Sequence, residues 1–93
     1  MAEVLQETQV KEMASDVPDW KVEGKELKQV MTFKDFVTAM DFVNKLIEPA
    51  EAAGHHPDIA ISYNKVTISL TSHDAGGLTE KDFAMAKQIS SLK

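Results

Sequence analysis

Glu51, the triplet His55-His56-Pro57, Tyr63, His73 and Asp82 form the chemically richest stretch of this chain, with a Gly76-Gly77 loop between the last two. All three histidines of the 93-residue sequence fall within nineteen residues. Histidine ionises near neutrality, so imidazoles sharing a pocket can supply both a proton donor and a proton acceptor. The cluster points to acid/base chemistry. Imidazole also binds zinc and other transition metals, which makes a metal site the competing reading. The spacing opposes it. Adjacent histidines point to opposite sides of an extended chain and about a hundred degrees apart on a helix. Neither arrangement is an i, i+4 ligand pair, and no cysteine is present to complete a site.

The elements that must hold these residues can be read from apolar periodicity. From Glu3 to Ser15 the residues favour a helix, with Val10, Met13, Ala14 and Val17 at i, i+3, i+4, i+7 and Asp16-Val17-Pro18 ending it. Trp20 to Glu23 and Glu26 to Met31 flank Gly24 as a hairpin, in which Leu27, Met31 and Phe33 share a face with Gln29 as an imperfect member. A second helix follows, with Phe36, Val37, Met40, Val43 and Ile47 as its apolar stripe and Thr32 and Asp35 at capping-box spacing. Pro49 demands either a kink or a fresh turn carrying Glu51, and Gly54 suits a left-handed helix end.

After the histidine pair, Ile59, Ile61 and Tyr63 alternate with Ala60 and Ser62, while Val66, Ile68 and Leu70 alternate with Thr67, Ser69 and Thr71. Asn64-Lys65 reads as the turn of this second hairpin, which has one apolar and one small polar face. His73 extends the polar parity. Thr79 to Asp82 is a capping box and Leu78 with Phe83 its hydrophobic staple, opening a last helix that buries Phe83, Ala86, Ile89 and Leu92. Phe33, Phe36, Phe42 and Phe83 read as core, and Tyr63 as sheet packing. The expected fold is therefore α+β: a four-stranded antiparallel sheet with helices packed on one face, in the order α-β-β-α-β-β-α.

Length and composition bound the rest. Residues 1–93 make one small domain, for which oligomerisation is a common source of further burial. With 43% hydrophobic and 27% charged residues the chain is expected to be globular, and no apolar run is long enough for a membrane span. The start Met1-Ala2-Glu3 lacks the pattern of a signal peptide, so a cytoplasmic location is expected. Net charge is −5, and the ten basic residues, all lysine, are scattered from Lys11 to Lys93. Direct nucleic-acid binding is not expected of such a surface. Strand edges and helix surfaces read as polar, without a decisive apolar seam.

Over nearly its whole length the sequence resembles the pterin-4a-carbinolamine dehydratases. That family's signature is an acidic or similar residue, three positions, His-His-Pro, five positions, an aromatic, nine positions, His, eight positions, Asp. Here every interval is kept in Glu51, His55-His56-Pro57, Tyr63, His73 and Asp82. Tyr63-Asn64-Lys65-Val66, Gly77 to Asp82 and Trp20 also look like the family.

The resemblance implies a hydro-lyase that converts a 4a-hydroxytetrahydropterin to the quinonoid dihydropterin and water, without metal or organic cofactor. That step serves pterin-dependent aromatic amino-acid hydroxylases. It further implies a homodimer or homotetramer. By carry-over, His55 and His73 are the acid/base candidates, His56 binds substrate and shares in base catalysis, and Asp82 holds or polarises a histidine. Glu51, Pro57 and Trp20 are the implied substrate contacts, with Trp20 as a wall for the flat ring, while a core position is the equal alternative for that residue because tryptophans are mostly buried for packing. The alternative is a non-catalytic module, because relatives also act as transcriptional dimerisation cofactors or assembly factors. A metal-dependent lyase ranks third.

Overall fold

The computed structural model describes residues 3–92. Met1, Ala2 and Lys93, which bear on the expectation about the start of the chain and on one of the scattered lysines, lie outside it. The elements are α1 (Glu7–Ala14), β1 (Lys21–Glu23), β2 (Glu26–Thr32), α2 (Phe36–Lys45), α3 (Ile47–Ala53), β3 (Asp58–Ser62), β4 (Lys65–Leu70) and α4 (Glu80–Ser91). The order matches the expected one, with the second helix broken in two. The four strands form one antiparallel sheet in the order β1-β2-β4-β3.

Strand alternation sets the layers. Leu27, Gln29 and Met31 on β2 and Val66, Ile68 and Leu70 on β4 point inward and are buried, whereas Lys28, Val30, Thr67 and Ser69 between them take the opposite face. The helices cover the first face, contributing Ala39, Phe42 and Leu46 from α2 and its end, and Phe83, Met85, Ala86 and Ile89 from α4. Gln29 fills an inward position as parity demands, but its buried Oε1 has no hydrogen-bond partner among the described residues.

Three expectations about the helices need correction. The apolar stripe Phe36-Val37-Met40-Val43-Ile47 is not the buried side: Val37 is 66% and Ile47 61% exposed, and Phe36 is exposed too. The face that meets the sheet instead carries Ala39, Phe42 and Leu46, because a small residue at Ala39 lets the helix approach while Phe42 supplies the bulk. The capping box at Thr32 is absent. Asp35 is itself the N-cap, its Oδ1 accepting from the Thr38 N–H at 2.8 Å and from the Thr38 hydroxyl at 2.6 Å. The first helix begins at Glu7 rather than Glu3, and it buries no residue fully; Val10, Met13 and Ala14 only lean on the core.

Pro49 takes the second of its two options. It occupies the third position of α3, where a backbone N–H would have no intrahelical partner, so the ring costs no hydrogen bond. The helix axis restarts at Ile47 and ends at Gly54 in the left-handed conformation (φ 62°), as the glycine suggested. The β3–β4 turn is displaced by one residue from Asn64-Lys65 to Tyr63-Asn64, since Lys65 already pairs with Ser62 and Thr32. Asn64 is held by Phe33, whose N–H donates to the Asn64 carbonyl at 2.8 Å and whose carbonyl accepts from Asn64 Nδ2 at 2.7 Å. Tyr63 is therefore an exposed turn residue with φ 52°, not a sheet-packing one.

Candidate functional site

β3 runs antiparallel to β4 with Asp58 opposite Ser69, so the segment entering β3 and the segment leaving β4 meet at one end of the sheet. The first carries His55-His56-Pro57 and the second His73. Sheet topology thus puts at one end of the sheet two segments whose histidines are up to eighteen positions apart in sequence.

The centre of the arrangement is Asp82. As the third residue of α4 it would satisfy the helix start in any case, and its Oδ2 accepts from the Thr79 N–H at 2.9 Å. The same Oδ2 accepts from the Ser72 hydroxyl at 2.9 Å. That leaves Oδ1, which lies 2.6 Å from His55 Nε2. The capping and the histidine-holding readings of Asp82 are both realised, one on each oxygen. Its side chain is 0% exposed and that of His55 12%, so the pair is shielded from water on most sides. With Asp82 as a carboxylate, which only accepts, the proton of this bond sits on Nε2, and Nδ1 is the ring atom left for other partners.

His56 forms a second imidazole–carboxylate pair, with Nε2 2.6 Å from Glu51 Oε2, but in water: both side chains are largely exposed. Glu51 comes from α3, and the Gly54 turn is what folds His56 back over it. Glu51, His56 and Pro57 border a small apolar cavity of about 200 Å³ with Ile47 and Ile59. His73 is exposed and lines a separate shallow cavity of about 270 Å³ with Asp58, Thr71 and Lys25.

Trp20 is placed elsewhere. It is 4% exposed, belongs to the core cluster, and donates its indole N–H to Ser90 Oγ at 3.0 Å. An indole so buried has no face to offer a ligand, and the apolar burial of a large ring explains the residue. Among the described residues no group of three or more His, Asp or Glu side chains is arranged to hold a metal ion. The loop glycines do more than turn the chain: a Cβ at Gly77 would stand 2.6 Å from Val4 Cγ2, so the glycine admits the segment ahead of α1. That segment is fastened there by the Leu5 N–H to the Leu78 carbonyl at 2.8 Å.

Sequence reading missed Ser72. It is buried, its hydroxyl lies 2.8 Å from Thr79 Oγ1, and its peptide pairs with that of Gly77. The signal was available, since Ser72 continues the inward parity of Val66, Ile68 and Leu70 beyond the end of β4. A hydroxyl at a core-facing position next to a capping box has to bond something.

The family model described as "Pterin 4 alpha carbinolamine dehydratase" matches residues 3–92. A relative from Cyanothece sp. (strain PCC 7425 / ATCC 29141) is 63% identical over 92 residues, covering 99% of this chain and 95% of the relative. One from Nostoc punctiforme is 57% identical over 93 residues, covering both chains fully (100% of each). Both are provisionally named pterin-4-alpha-carbinolamine dehydratases. Among solved structures, a transcriptional coactivator/pterin dehydratase from Brucella melitensis superposes with a TM-score of 0.91 at 32% identity, over 97% of this chain and 98% of that one. A pterin dehydratase-like RuBisCO assembly factor of the alpha-carboxysome superposes with a TM-score of 0.68 at 26% identity, over 80% and 88%. In sequence and in fold, this chain belongs to the pterin 4 alpha carbinolamine dehydratase family.

Proposed function

We propose that the protein is a 4a-hydroxytetrahydropterin dehydratase. The reaction breaks the C4a–O and N5–H bonds, forms the C4a=N5 double bond of the quinonoid dihydropterin and releases water. One group must protonate the departing hydroxyl while another receives the N5 proton. The observation that carries the reading is the shielded His55–Asp82 pair: Nε2–H is committed to the carboxylate, so a single atom, Nδ1, is presented for proton transfer. Asp82 also balances the imidazolium that exists while Nδ1 holds a proton.

His73, emerging from the same end of the sheet, is the second proton-transfer group. His56 and Glu51 hold the substrate, Glu51 as acceptor for pterin amino or amide hydrogens and His56 with a share in base catalysis, and Pro57 borders their cavity. The chain carries out this step without metal or organic cofactor, in the cytoplasm, in support of a pterin-dependent hydroxylase. No helix among the described residues is long and apolar enough to cross a membrane.

The test follows loss of 4a-hydroxytetrahydropterin, generated by a hydroxylase and monitored spectroscopically, with wild type, His55→Ala and His73→Ala. The expected result is acceleration by wild type that falls roughly 10²–10⁴-fold in each variant. No acceleration by folded wild-type protein would remove the enzymatic reading.

A second reading has its own observation. Phe36, Val37, Ile47, Ile59 and Ile61 leave a set of large apolar side chains at the surface, which suits a protein contact. We assign it to self-association, as a homodimer or homotetramer, rather than to a role as a non-catalytic module. A chain that acts through its outer surface alone needs Asp82 for the start of α4 but has no chemical need of an imidazole on its other oxygen.

A further inference from the structure

The carboxylate that orients His55 is itself oriented, and the groups that do so form a directed chain. Asp82 Oδ2 accepts, so the Ser72 hydroxyl must spend its single hydrogen on it. The 2.8 Å contact between the Ser72 and Thr79 hydroxyls then has only one possible donor, Thr79. Thr79 Oγ1 in turn accepts from the Lys81 N–H at 3.2 Å. Donation along this series runs one way, from the start of α4 through Thr79 and Ser72 to Asp82, where it meets the His55 Nε2–H donated from the other side. Serine, threonine and aspartate here are all buried.

Ser72 has a second attachment. Its carbonyl accepts the Ala75 and Gly76 N–H groups, each at 3.0 Å, and its N–H donates to the Gly77 carbonyl at 3.2 Å. This closes the loop whose first exposed residue is His73, the very next position in the chain. One residue therefore fixes the carboxylate behind His55 through its side chain and the loop bearing His73 through its backbone.

Resting on the dehydratase reading, we propose that Ser72 is a positioning residue that sets the two imidazoles, His55 and His73, relative to each other by tying Asp82 to the start of the His73 loop. It touches no substrate. Its removal acts on the geometry of proton transfer and hence on kcat, while the Glu51–His56 region that holds the pterin is left as it is.

The experiment compares wild type, Ser72→Ala and Ser72→Thr by steady-state kinetics and by the proton resonance of His55 Nε2–H in nitrogen-labelled protein. A proton held between Nε2 and a shielded carboxylate exchanges slowly with water and is observable. The expected result is a kcat lower by roughly ten- to a hundred-fold in Ser72→Ala with KM little changed, recovery in Ser72→Thr, and the Nε2–H resonance present in wild type and threonine but broadened away in alanine. Should the alanine variant not fold, Ser72→Cys, whose thiol is a much weaker donor in the same place, is measured instead with the same expectation. A kcat within twofold of wild type together with an unchanged Nε2–H resonance would overturn the proposal. If wild type shows no dehydratase activity, the resonance still decides: its loss in alanine alone upholds Ser72 as the anchor of the His55–Asp82 pair, and its presence in all variants refutes that role.

Discussion

At the scale of single residues, Asp82 shows how a structural and a chemical demand can share one side chain. A carboxylate has two oxygens, and here the helix start and Ser72 use one while His55 uses the other. Removing it should therefore harm folding and catalysis together. In Asp82→Ala the Thr79 N–H, the Ser72 hydroxyl and His55 Nε2–H all lose an acceptor in a buried place, and the capping box is gone. The expected cost is about 2–3 kcal/mol of stability, measured by urea denaturation, with activity falling at least as far as in His55→Ala. An alanine variant as stable as wild type would show that these donors find other partners. His56→Ala is the contrast. Its pair with Glu51 stands in water, where such a bond contributes little to folding.

At the scale of elements, the strands were legible and the helix orientation was not. Alternation in 27–31 and 66–70 determines which side chains point inward, and even Gln29 obeys it against its own polarity. On α2 the apolar residues cover more than one face, so periodicity alone could not tell the stripe that meets the sheet from the stripe left outside; Ala39, small and easily overlooked, marks the buried side. Of the candidate residues, the pairs His55–Asp82 and His56–Glu51 meet in the structure, but which atoms meet was not legible. Nothing in a sequence says which oxygen of Asp82 is spare, which of the two readings of Trp20 holds, or which group the inward Ser72 hydroxyl meets.

Two turns offer tests at this scale. The Asp35 carboxyl is held below its ordinary value first by the hydrogen bond from the Thr38 hydroxyl and then by the Thr38 N–H. A carboxyl whose folded value is depressed adds stability above the unfolded value of about 3.9, and that contribution is lost as pH falls through the folded value. Asp35→Ala is accordingly expected to lower the melting temperature near neutral pH, with the gap from wild type narrowing in stronger acid. A gap independent of pH would assign the effect to something other than the charged cap. Tyr63 holds φ 52°, a region in which a bulky side chain is strained and asparagine is tolerated. Its ring is exposed, so little packing is lost in Tyr63→Asn. That variant is expected to gain up to about 1 kcal/mol in chemical denaturation; a clear loss would mean that the tyrosine ring makes a contact worth more than the strain.

At the scale of the whole molecule, the sheet has an unfinished edge. β3 pairs with β4 on one side only, all five of its residues are exposed, and Ile59 borders the same small cavity as Ile47 of α3. An open strand edge beside exposed apolar side chains is a surface that soluble proteins usually cover. On the proposed self-association, a second copy of this chain would cover it and add apolar burial to so small a domain. Glu51, His56 and Pro57 line that cavity as well, so an assembled neighbour would close it beside the proposed substrate contacts. Sedimentation velocity of the wild-type protein is expected to show a dimer or tetramer, and Ile47→Glu combined with Ile59→Glu to shift it towards monomer without unfolding it, since neither side chain is part of the core. The same double variant should raise KM for the pterin more than it lowers kcat, because Ile47 and Ile59 share their cavity with His56 and not with His55 or Asp82. A wild-type protein that stays monomeric at high micromolar concentration would place the completed site within one chain and leave the apolar edge to a different partner.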